Sequence, residues 1–247
     1  MSESLTASFI MFTGANGEQV QGYLVIPEGS DPRGSVIVLH HMPGFDRGSK
    51  EIARRFATMG YNVLCPNLYW REAPEAAPDD AAAVARANGG VPDERLIGDA
   101  AGAAAYLRRL STSNGKVGVI GYCSGGRQSV LVGCTVDVDA VVDCYGAFVT
   151  GTPSERFPLK VTNLVDQLPD LRAPLLGLFG ADDQYPSPEQ VAELEEILVR
   201  EGKTHTLVTY EDTGHAFFTT DRSAYRFESA NDGWSRITDF YATYLGA

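Results

Sequence analysis

The spacing of apolar residues changes along this chain. Residues 8–13 and 19–27 predict two strands, joined at Asn16-Gly17, a dipeptide typical of hairpin turns. From residue 35 onward, short apolar runs alternate with segments whose apolar residues recur at helical spacing. The predicted strands cover 35–39, 61–66, 116–120, 139–144, 175–179 and 204–210, and the predicted helices cover 49–59, 92–110, a segment from 127, a segment from 187, and 231–245. This alternation is typical of a parallel, doubly wound α/β sheet with helices on both faces, to which the hairpin adds an antiparallel edge.

Two segments lack a regular pattern. Residues 72–92 are rich in Ala, Pro, Asp and Gly, and we expect loops there with at most one short helix. Residues 147–170 predict a long connection over the sheet, with a short helix near Leu164. The chain contains no internal repeat, and we expect a single domain over residues 1–247.

Composition narrows the possible partners. The 247 residues are 44% hydrophobic and 21% charged, which suits one large α/β domain with a substantial core. A net charge of −12 disfavours nucleic acid and anionic membranes, because both need a basic face. The chain has no apolar run long enough to span a membrane, and residues 1–5 lack the features of a secretory signal. We therefore expect a cytoplasmic protein, monomeric by default, whose partner is a small molecule.

One cysteine lies in a motif that suggests chemistry. The segment Gly121-Tyr122-Cys123-Ser124-Gly125 connects a predicted strand to a predicted helix, which is the nucleophile-elbow pattern with cysteine at its centre. The two glycines leave room for the sharp turn, and the helix N-terminus favours thiolate over thiol. Two alternatives remain, a buried structural cysteine and Ser124 as the nucleophile. Ser124 is the weaker candidate, because Tyr122 would then occupy a position that needs a small residue.

The other cysteines suggest no metal site. Cys65, Cys134 and Cys144 form with Cys123 neither a CxxC pair nor a zinc-ligand spacing. In a reducing compartment we expect all four to remain thiols.

Three reactive side chains follow predicted strands in the order nucleophile, acid, histidine. Cys123 is followed by Asp183, after the strand 175–179, and by His215, after the last strand. Ligands gather at the carboxyl ends of strands in such sheets, so these residues predict a Cys-Asp-His triad. In such a triad the cysteine attacks a carbonyl carbon, the histidine transfers the proton, and the aspartate fixes the imidazole tautomer.

Each triad assignment has an alternative. Asp182 could replace Asp183 as the acid, and His215 could be an ordinary loop histidine. The oxyanion that forms during attack needs two backbone N–H donors. We expect them from Ser124, which follows the nucleophile, and from Met42 in the loop after the strand 35–39.

Taken together, these motifs resemble the dienelactone hydrolase family of α/β hydrolases. The resemblance runs from about Gly22 to the C-terminal helix, and its most specific parts are the elbow, Pro66-Asn67-Leu68-Tyr69 with Arg71, Gly180 to Asp183, and Gly214 to Phe217. It implies an α/β-hydrolase fold, a triad of Cys123, Asp183 and His215, hydrolysis of a small ester or lactone, and no metal or organic cofactor.

The chain departs from the pattern of the characterised dienelactone enzymes at two positions. Those enzymes carry a glutamate that helps to activate the cysteine, and His41 stands at that position here. They also bind the substrate carboxylate with an arginine four residues after the catalytic histidine, where this chain has Thr219. His41 either contacts the substrate or tunes Cys123, or it is satisfied by the loop backbone.

Tyr69, Arg71 and Tyr145 are further candidates for lining the substrate pocket, although Arg71 could instead form a surface ion pair. The leading hypothesis is thus a cysteine hydrolase for small esters or lactones. The alternatives are a thioesterase, a redox-active thiol protein, and a non-catalytic binding protein on the same fold.

Overall fold

A computed structural model describes residues 4–246, and its eight strands form one sheet. The strands are β1 (Leu5–Thr13), β2 (Gln19–Pro27), β3 (Arg33–Leu39), β4 (Asn62–Pro66), β5 (Ser113–Tyr122), β6 (Ala140–Cys144), β7 (Leu175–Gly180) and β8 (His205–Tyr210). The helices are α1 (Arg47–Thr58), α2 (Pro78–Ala87), α3 (Asp93–Arg108), α4 (Ser124–Thr135), α5 (Pro188–Arg200) and α6 (Phe227–Leu245). Short 3-10 turns cover Ala15–Gly17 and Leu168–Asp170.

The strand order is β1-β2-β4-β3-β5-β6-β7-β8. Strands β3 to β8 run parallel to one another, while β2 is antiparallel to both of its neighbours, β1 and β4, at one edge. This confirms the predicted α/β class and the antiparallel hairpin. Because the parallel strands share one direction, their carboxyl ends lie along one edge of the sheet, where a site can form.

Helices cover both faces of the sheet. One hydrophobic cluster packs α1 and α6 against the sheet through residues such as Phe56, Trp234 and Tyr241. The other cluster packs α2, α3, α4 and α5, with buried residues such as Leu96 and Leu194. Strand β3 is buried along its whole length, as its continuous apolar run predicted.

Several boundaries differ from the sequence predictions. Strand β1 begins at Leu5, ahead of the predicted residue 8, because most of this edge strand is exposed and its apolar pattern is weak. Strand β5 begins at Ser113 rather than at residue 116, and Asn114-Gly115 lies inside it, where the register with β3 shifts at a bulge. Helix α6 begins at Phe227 rather than at residue 231, and the irregular segment 72–92 contains α2.

The helices of residues 4–246 are all too short or too polar to cross a membrane.

Candidate active site

The elbow at Cys123 has the strained backbone that its sequence predicts. Cys123 has φ 57° and ψ −119° and immediately precedes α4. A Cβ atom on Gly121 would lie 1.8 Å from the carbonyl oxygen of Gly125, and one on Gly125 would lie 2.4 Å from that of Leu39. Only glycine fits at both positions, so the sequence motif is a steric requirement of this turn. The turn holds Cys123 at the carboxyl end of β5.

The histidine and the aspartate of the predicted triad are in direct contact. The Nδ1 of His215 and the Oδ2 of Asp183 are 2.7 Å apart, although 32 positions separate the residues in sequence. The second oxygen of Asp183 accepts a hydrogen bond of 2.9 Å from the N–H of Tyr185, which fixes the buried carboxylate. Asp182, the alternative acid, is exposed to solvent.

The charge state of His215 reflects opposing effects. Burial would lower the pKa of His215, but its interactions with Asp183 and with the side chain of Cys123 raise the pKa to about 10. Because Nδ1 contacts Asp183, Nε2 is the nitrogen left for Cys123. The three side chains of the predicted triad therefore form one connected group.

The loop after β3 is fixed beside the elbow by His40. This imidazole is buried, its Nδ1 donates to the carbonyl of His41 at 2.9 Å, and its Nε2 accepts from the N–H of Leu68 at 3.1 Å. Burial lowers the pKa of His40 to about 4, so the ring is neutral. The hydroxyl of Tyr69 donates to the carbonyl of Met42 at 2.9 Å, which ties the same loop to the end of β4.

A cavity of about 250 Å³ opens beside the candidate nucleophile, and we call it the Cys123 cavity. Four sequence-predicted residues line it: Cys123, Met42, Ser124 and Tyr69. The segment 147–170, whose position the sequence left open, supplies another wall with apolar residues that include Phe148, Phe157 and Leu159. The N–H of Lys160 donates to the carbonyl of Gly89 at 2.8 Å, so this segment is joined to the loop between α2 and α3.

With this geometry defined, comparison with known proteins assigns the family. The model of the dienelactone hydrolase family matches residues 20–245. The chain belongs to the dienelactone hydrolase family. It is 32% identical to a protein of Methylorubrum extorquens over 91% of this chain and 77% of that protein, and 32% identical to one of Escherichia coli K12 over 94% and 85%. Both relatives carry the name "Putative carboxymethylenebutenolidase".

Solved structures agree with this assignment. A Klebsiella pneumoniae structure titled "Putative Dienelactone Hydrolase" superposes with a TM-score of 0.86 at 28% identity, and the match covers 98% of this chain and 100% of that one. A dienelactone hydrolase-like phosphotriesterase from metagenomic libraries has a TM-score of 0.78 at 19% identity, which is evidence for the fold alone. The α/β-hydrolase fold and the assignment to hydrolases of ester and lactone bonds are thereby confirmed.

Three residues predicted to contact the substrate lie outside the Cys123 cavity of this dienelactone hydrolase family member. His41 is 2.8 Å from Asp46 through its Nε2. Arg71 forms a bidentate pair with Asp99, at 2.8 and 2.9 Å, and it also contacts Glu18. The sequence left a surface ion pair as the alternative for Arg71, whereas the carboxylate of Asp99 is fully buried.

Tyr145 is buried beneath the candidate site. Its ring packs edge-on against the imidazole of His215, with centroids 5.0 Å apart, so it contacts the candidate base without lining the Cys123 cavity. Its φ of 46° places it in the left-handed region at the end of β6.

Sequence reasoning missed a buried carboxyl below the elbow, that of Asp143 in β6. Its Oδ1 accepts a hydrogen bond of 2.8 Å from the N–H of Gly146, while its Oδ2 has no partner among residues 4–246. Burial raises the pKa of Asp143 to about 7, against the opposing influence of Gly146 and His215. The signal in the sequence was a polar residue inside an otherwise apolar strand. The apolar pattern of that strand led to an interpretation as ordinary core.

Sequence reasoning also missed the ion pair of Arg127 with Asp93, both of which line the Cys123 cavity. Two guanidinium nitrogens each lie 2.8 Å from a carboxylate oxygen, and Arg127 also donates to the carbonyl of Thr162. This pair links α3, α4 and the segment 147–170 at one wall of the cavity. No spacing in the sequence connects the two residues, which lie 34 positions apart.

Among residues 4–246, the predicted triad has neither a cluster of metal ligands nor a neighbouring thiol suited to disulfide chemistry. Between residues 4 and 246, no three His, Cys, Asp or Glu side chains converge as metal ligands would. The N–H of Cys123 donates to the carbonyl of Cys144 at 3.0 Å, but the Cys144 thiol is fully buried and its pKa is raised well above the usual value by burial. This environment disfavours Cys144 as a partner in disulfide chemistry.

Proposed function

We propose that this protein hydrolyses a small carboxylic ester or lactone through an acyl-enzyme on Cys123. The observation that carries the proposal is the contact of His215 with Asp183, beside a Cys123 that lies at the tip of a strained elbow and raises the pKa of that imidazole. A raised imidazole pKa keeps His215 protonated beside the sulfur, which favours a thiolate-imidazolium pair. This pair has both a nucleophile and a proton donor ready before the substrate arrives.

The acylation step uses the negative charge of the Cys123 thiolate and the proton of the His215 imidazolium. The Cys123 thiolate attacks the carbonyl carbon, a C–S bond forms, and the carbonyl electron pair moves onto oxygen. The N–H groups of Ser124 and Met42 are proposed to receive this oxyanion, since both residues line the cavity beside Cys123. When the intermediate collapses, the C–O bond of the ester breaks and His215 gives its proton to the leaving alkoxide. In a lactone this alkoxide remains attached to the acyl group.

Deacylation reverses these roles. Water attacks the thioester carbonyl while the neutral His215 takes one of its protons, and the C–S bond breaks to release the carboxylic acid and the thiolate. Asp183 holds Nδ1 through both steps and so keeps Nε2 directed at the sulfur. No cofactor is required by this sequence of steps.

The cavity restricts the substrate. Its volume of about 250 Å³ lies below the range of about 300–1,000 Å³ that is usual for ligand pockets, and much of its wall is apolar. We therefore propose a short acyl group, with Tyr69 among its contacts. His41, Arg71 and Tyr145 remain predictions as substrate-binding residues, and the ion pair of Arg71 with Asp99 favours a structural role for that residue.

The test compares two cysteine variants on the same helix-and-elbow segment. Short p-nitrophenyl esters and small lactones are assayed with wild type, Cys123→Ala and the matched control Cys134→Ala, a free thiol in α4. We expect turnover to disappear in the first variant alone, and the wild type to gain one acyl mass on Cys123 when the reaction is quenched. Turnover that persists in Cys123→Ala, or an acyl group on Ser124, would overturn the proposal.

A further inference from the structure

The structure contains a second and larger cavity that the proposed reaction does not use. Its volume is about 450 Å³, it lies between the start of α1 and the loop that follows His215, and we call it the α1 cavity. It shares only His40 with the Cys123 cavity, and Cys123 does not line it. A pocket of this size is within the range of small-molecule sites.

Three arginines line the α1 cavity without a carboxylate partner. Arg47, Arg55 and Arg222 are exposed at its walls, and none forms an ion pair with another described residue. The protein as a whole carries a net charge of −12, so unpaired guanidinium groups around one cavity run against its general charge. Guanidinium groups match the planar geometry of carboxylate and phosphate oxygens.

Most of the carboxylates that line the α1 cavity already have a partner. Asp46 is bound by His41 and by the N–H of Ser49, and Glu51 pairs with Arg54 outside the cavity. Asp221 is the one carboxylate lining the cavity that has no ion pair within residues 4–246. Free positive charge therefore exceeds free negative charge at the cavity wall.

Two of the arginines are placed in ways that keep them available. Arg47 is the first residue of α1, where a cation is disfavoured by the helix dipole and adds to the positive potential of the helix N-terminus. The guanidinium of Arg55 lies over the ring of Trp234, 3.9 Å from its centroid, and stacking of this kind leaves the in-plane N–H donors free.

The cavity also has an aromatic floor. Tyr122, Tyr145, Phe218 and Trp234 line it, and all four are buried. The hydroxyl of Tyr122 has no hydrogen-bond partner within the described residues. A cavity lined by both arginines and aromatic rings fits a ligand that carries an anionic group on a flat apolar body.

We propose that the α1 cavity binds a small aromatic carboxylate. The carboxylate is held by Arg47 and Arg222 with support from Arg55, and the ring lies on the aromatic floor. Cys123 does not line this cavity and the test measures binding alone, so failure of this proposal is distinguishable from failure of the proposed function.

Isothermal titration calorimetry with benzoate tests the site. The neutral isostere benzamide is the ligand control, and the protein series is wild type, Arg47→Gln, Arg222→Gln and Arg109→Gln. Arg109 is exposed, lines no part of the cavity and has no ion pair with another described residue, so its variant removes an equal charge without freeing a carboxylate. The replaced side chains lie at the surface, and thermal unfolding of each variant checks that the fold is retained.

We expect saturable benzoate binding in wild type and in Arg109→Gln, and much weaker binding of benzamide. Arg47→Gln and Arg222→Gln should each weaken benzoate binding by about tenfold, as expected for loss of one charge-assisted hydrogen bond. Absence of saturable binding in wild type would overturn the proposal. Equal weakening by Arg109→Gln would show a general charge effect and would overturn it as well.

Discussion

Two histidine–aspartate pairs in this protein have nearly equal contact distances and different surroundings. His215 lies 2.7 Å from Asp183, and His41 lies 2.8 Å from Asp46. His215 bonds through Nδ1 and also interacts with Cys123, whereas His41 bonds through Nε2, and neither histidine lines the Cys123 cavity. A histidine–aspartate pair alone therefore does not identify a catalytic site. The two pairs differ in the group that lies beside the second imidazole nitrogen.

Asp183 and Asp46 also differ in their backbone contacts. Asp183 binds the N–H of Tyr185, two residues ahead, which fixes its carboxylate toward the histidine. Asp46 is the N-cap of α1 and accepts from the N–H of Ser49. Burial would raise the pKa of Asp46, but hydrogen bonds from His41 and Ser49 hold it well below its usual range. One carboxylate contacts the proposed base, and the other caps a helix.

The largest expected effect is a loss of kcat that distinguishes Asp183 from Asp46 when each is changed to asparagine. We expect Asp183→Asn to lower kcat for short esters by about 10⁴-fold, because the amide no longer holds the imidazole in the required tautomer. Asp46→Asn should leave kcat nearly unchanged, since asparagine caps helices as well as aspartate does. Steady-state kinetics on p-nitrophenyl acetate measures both. Similar losses in the two variants would contradict the distinction drawn between the pairs.

The buried carboxylate of Asp99 extends the comparison to a pair with arginine. Its side chain is fully buried and it accepts from Arg71 and from the N–H of Ala15. Arg71→Gln leaves this charge without its partner, and we expect a loss of about 3 kcal/mol in the free energy of unfolding. Glu18→Gln, which breaks only the exposed contact of Arg71, should cost less than about 1 kcal/mol.

Urea denaturation measures both losses, and ester kinetics on the same variants separates stability from binding. If Arg71→Gln instead raised KM and kept its stability, Arg71 would be a substrate-binding residue after all.

A smaller effect is expected from the helix cap itself. Asp46→Ala should destabilise the protein by about 1–2 kcal/mol near neutral pH, because the N-cap and its contact with His41 are lost. The pKa of Asp46 is lower in the folded state than its usual value of 3.8, so its contribution is present above that pH and is lost as the pH falls below it. Wild type and variant should therefore converge in acid.

Denaturation curves from neutral to acid pH, with Ser187→Ala at the cap of α5 as the matched variant, measure this convergence. A constant difference between wild type and Asp46→Ala across that range would show that the charge of Asp46 adds nothing to its role as a cap.

The sequence predicted this site where local patterns determine geometry. The elbow was recognisable because the close approach of Gly121 and Gly125 admits no side chain, so the constraint appears directly as residue identity. Cys123, Asp183 and His215 follow the ends of β5, β7 and β8 in a known order, and the parallel sheet then places those ends along one edge. The contact between His215 and Asp183 agrees with that prediction.

The remaining features depend on contacts that no local pattern encodes. The wall of the Cys123 cavity formed by residues 147–170 has no helical or strand period, so its path over the site could not be derived. Arg71 stands in a motif of the family, yet its partner Asp99 lies 28 positions away in α3. The role of His41 depends on Asp46, five positions on, and that spacing alone did not distinguish a cap partner from a catalytic group.

A further predicted effect concerns the pH dependence of stability at His215. Its pKa rises from 6.5 to about 10 on folding, so the folded state binds more protons between these values and its stability should decline as the pH rises through this range. The decline should be absent in His215→Gln and reduced in Asp183→Asn and in Cys123→Ala, because each of those two removes an interaction that raises the pKa. Urea denaturation at several pH values across the range provides the slopes. Identical slopes in wild type and His215→Gln would mean that the imidazole is not held in its protonated form, and the thiolate-imidazolium pair would lose its support.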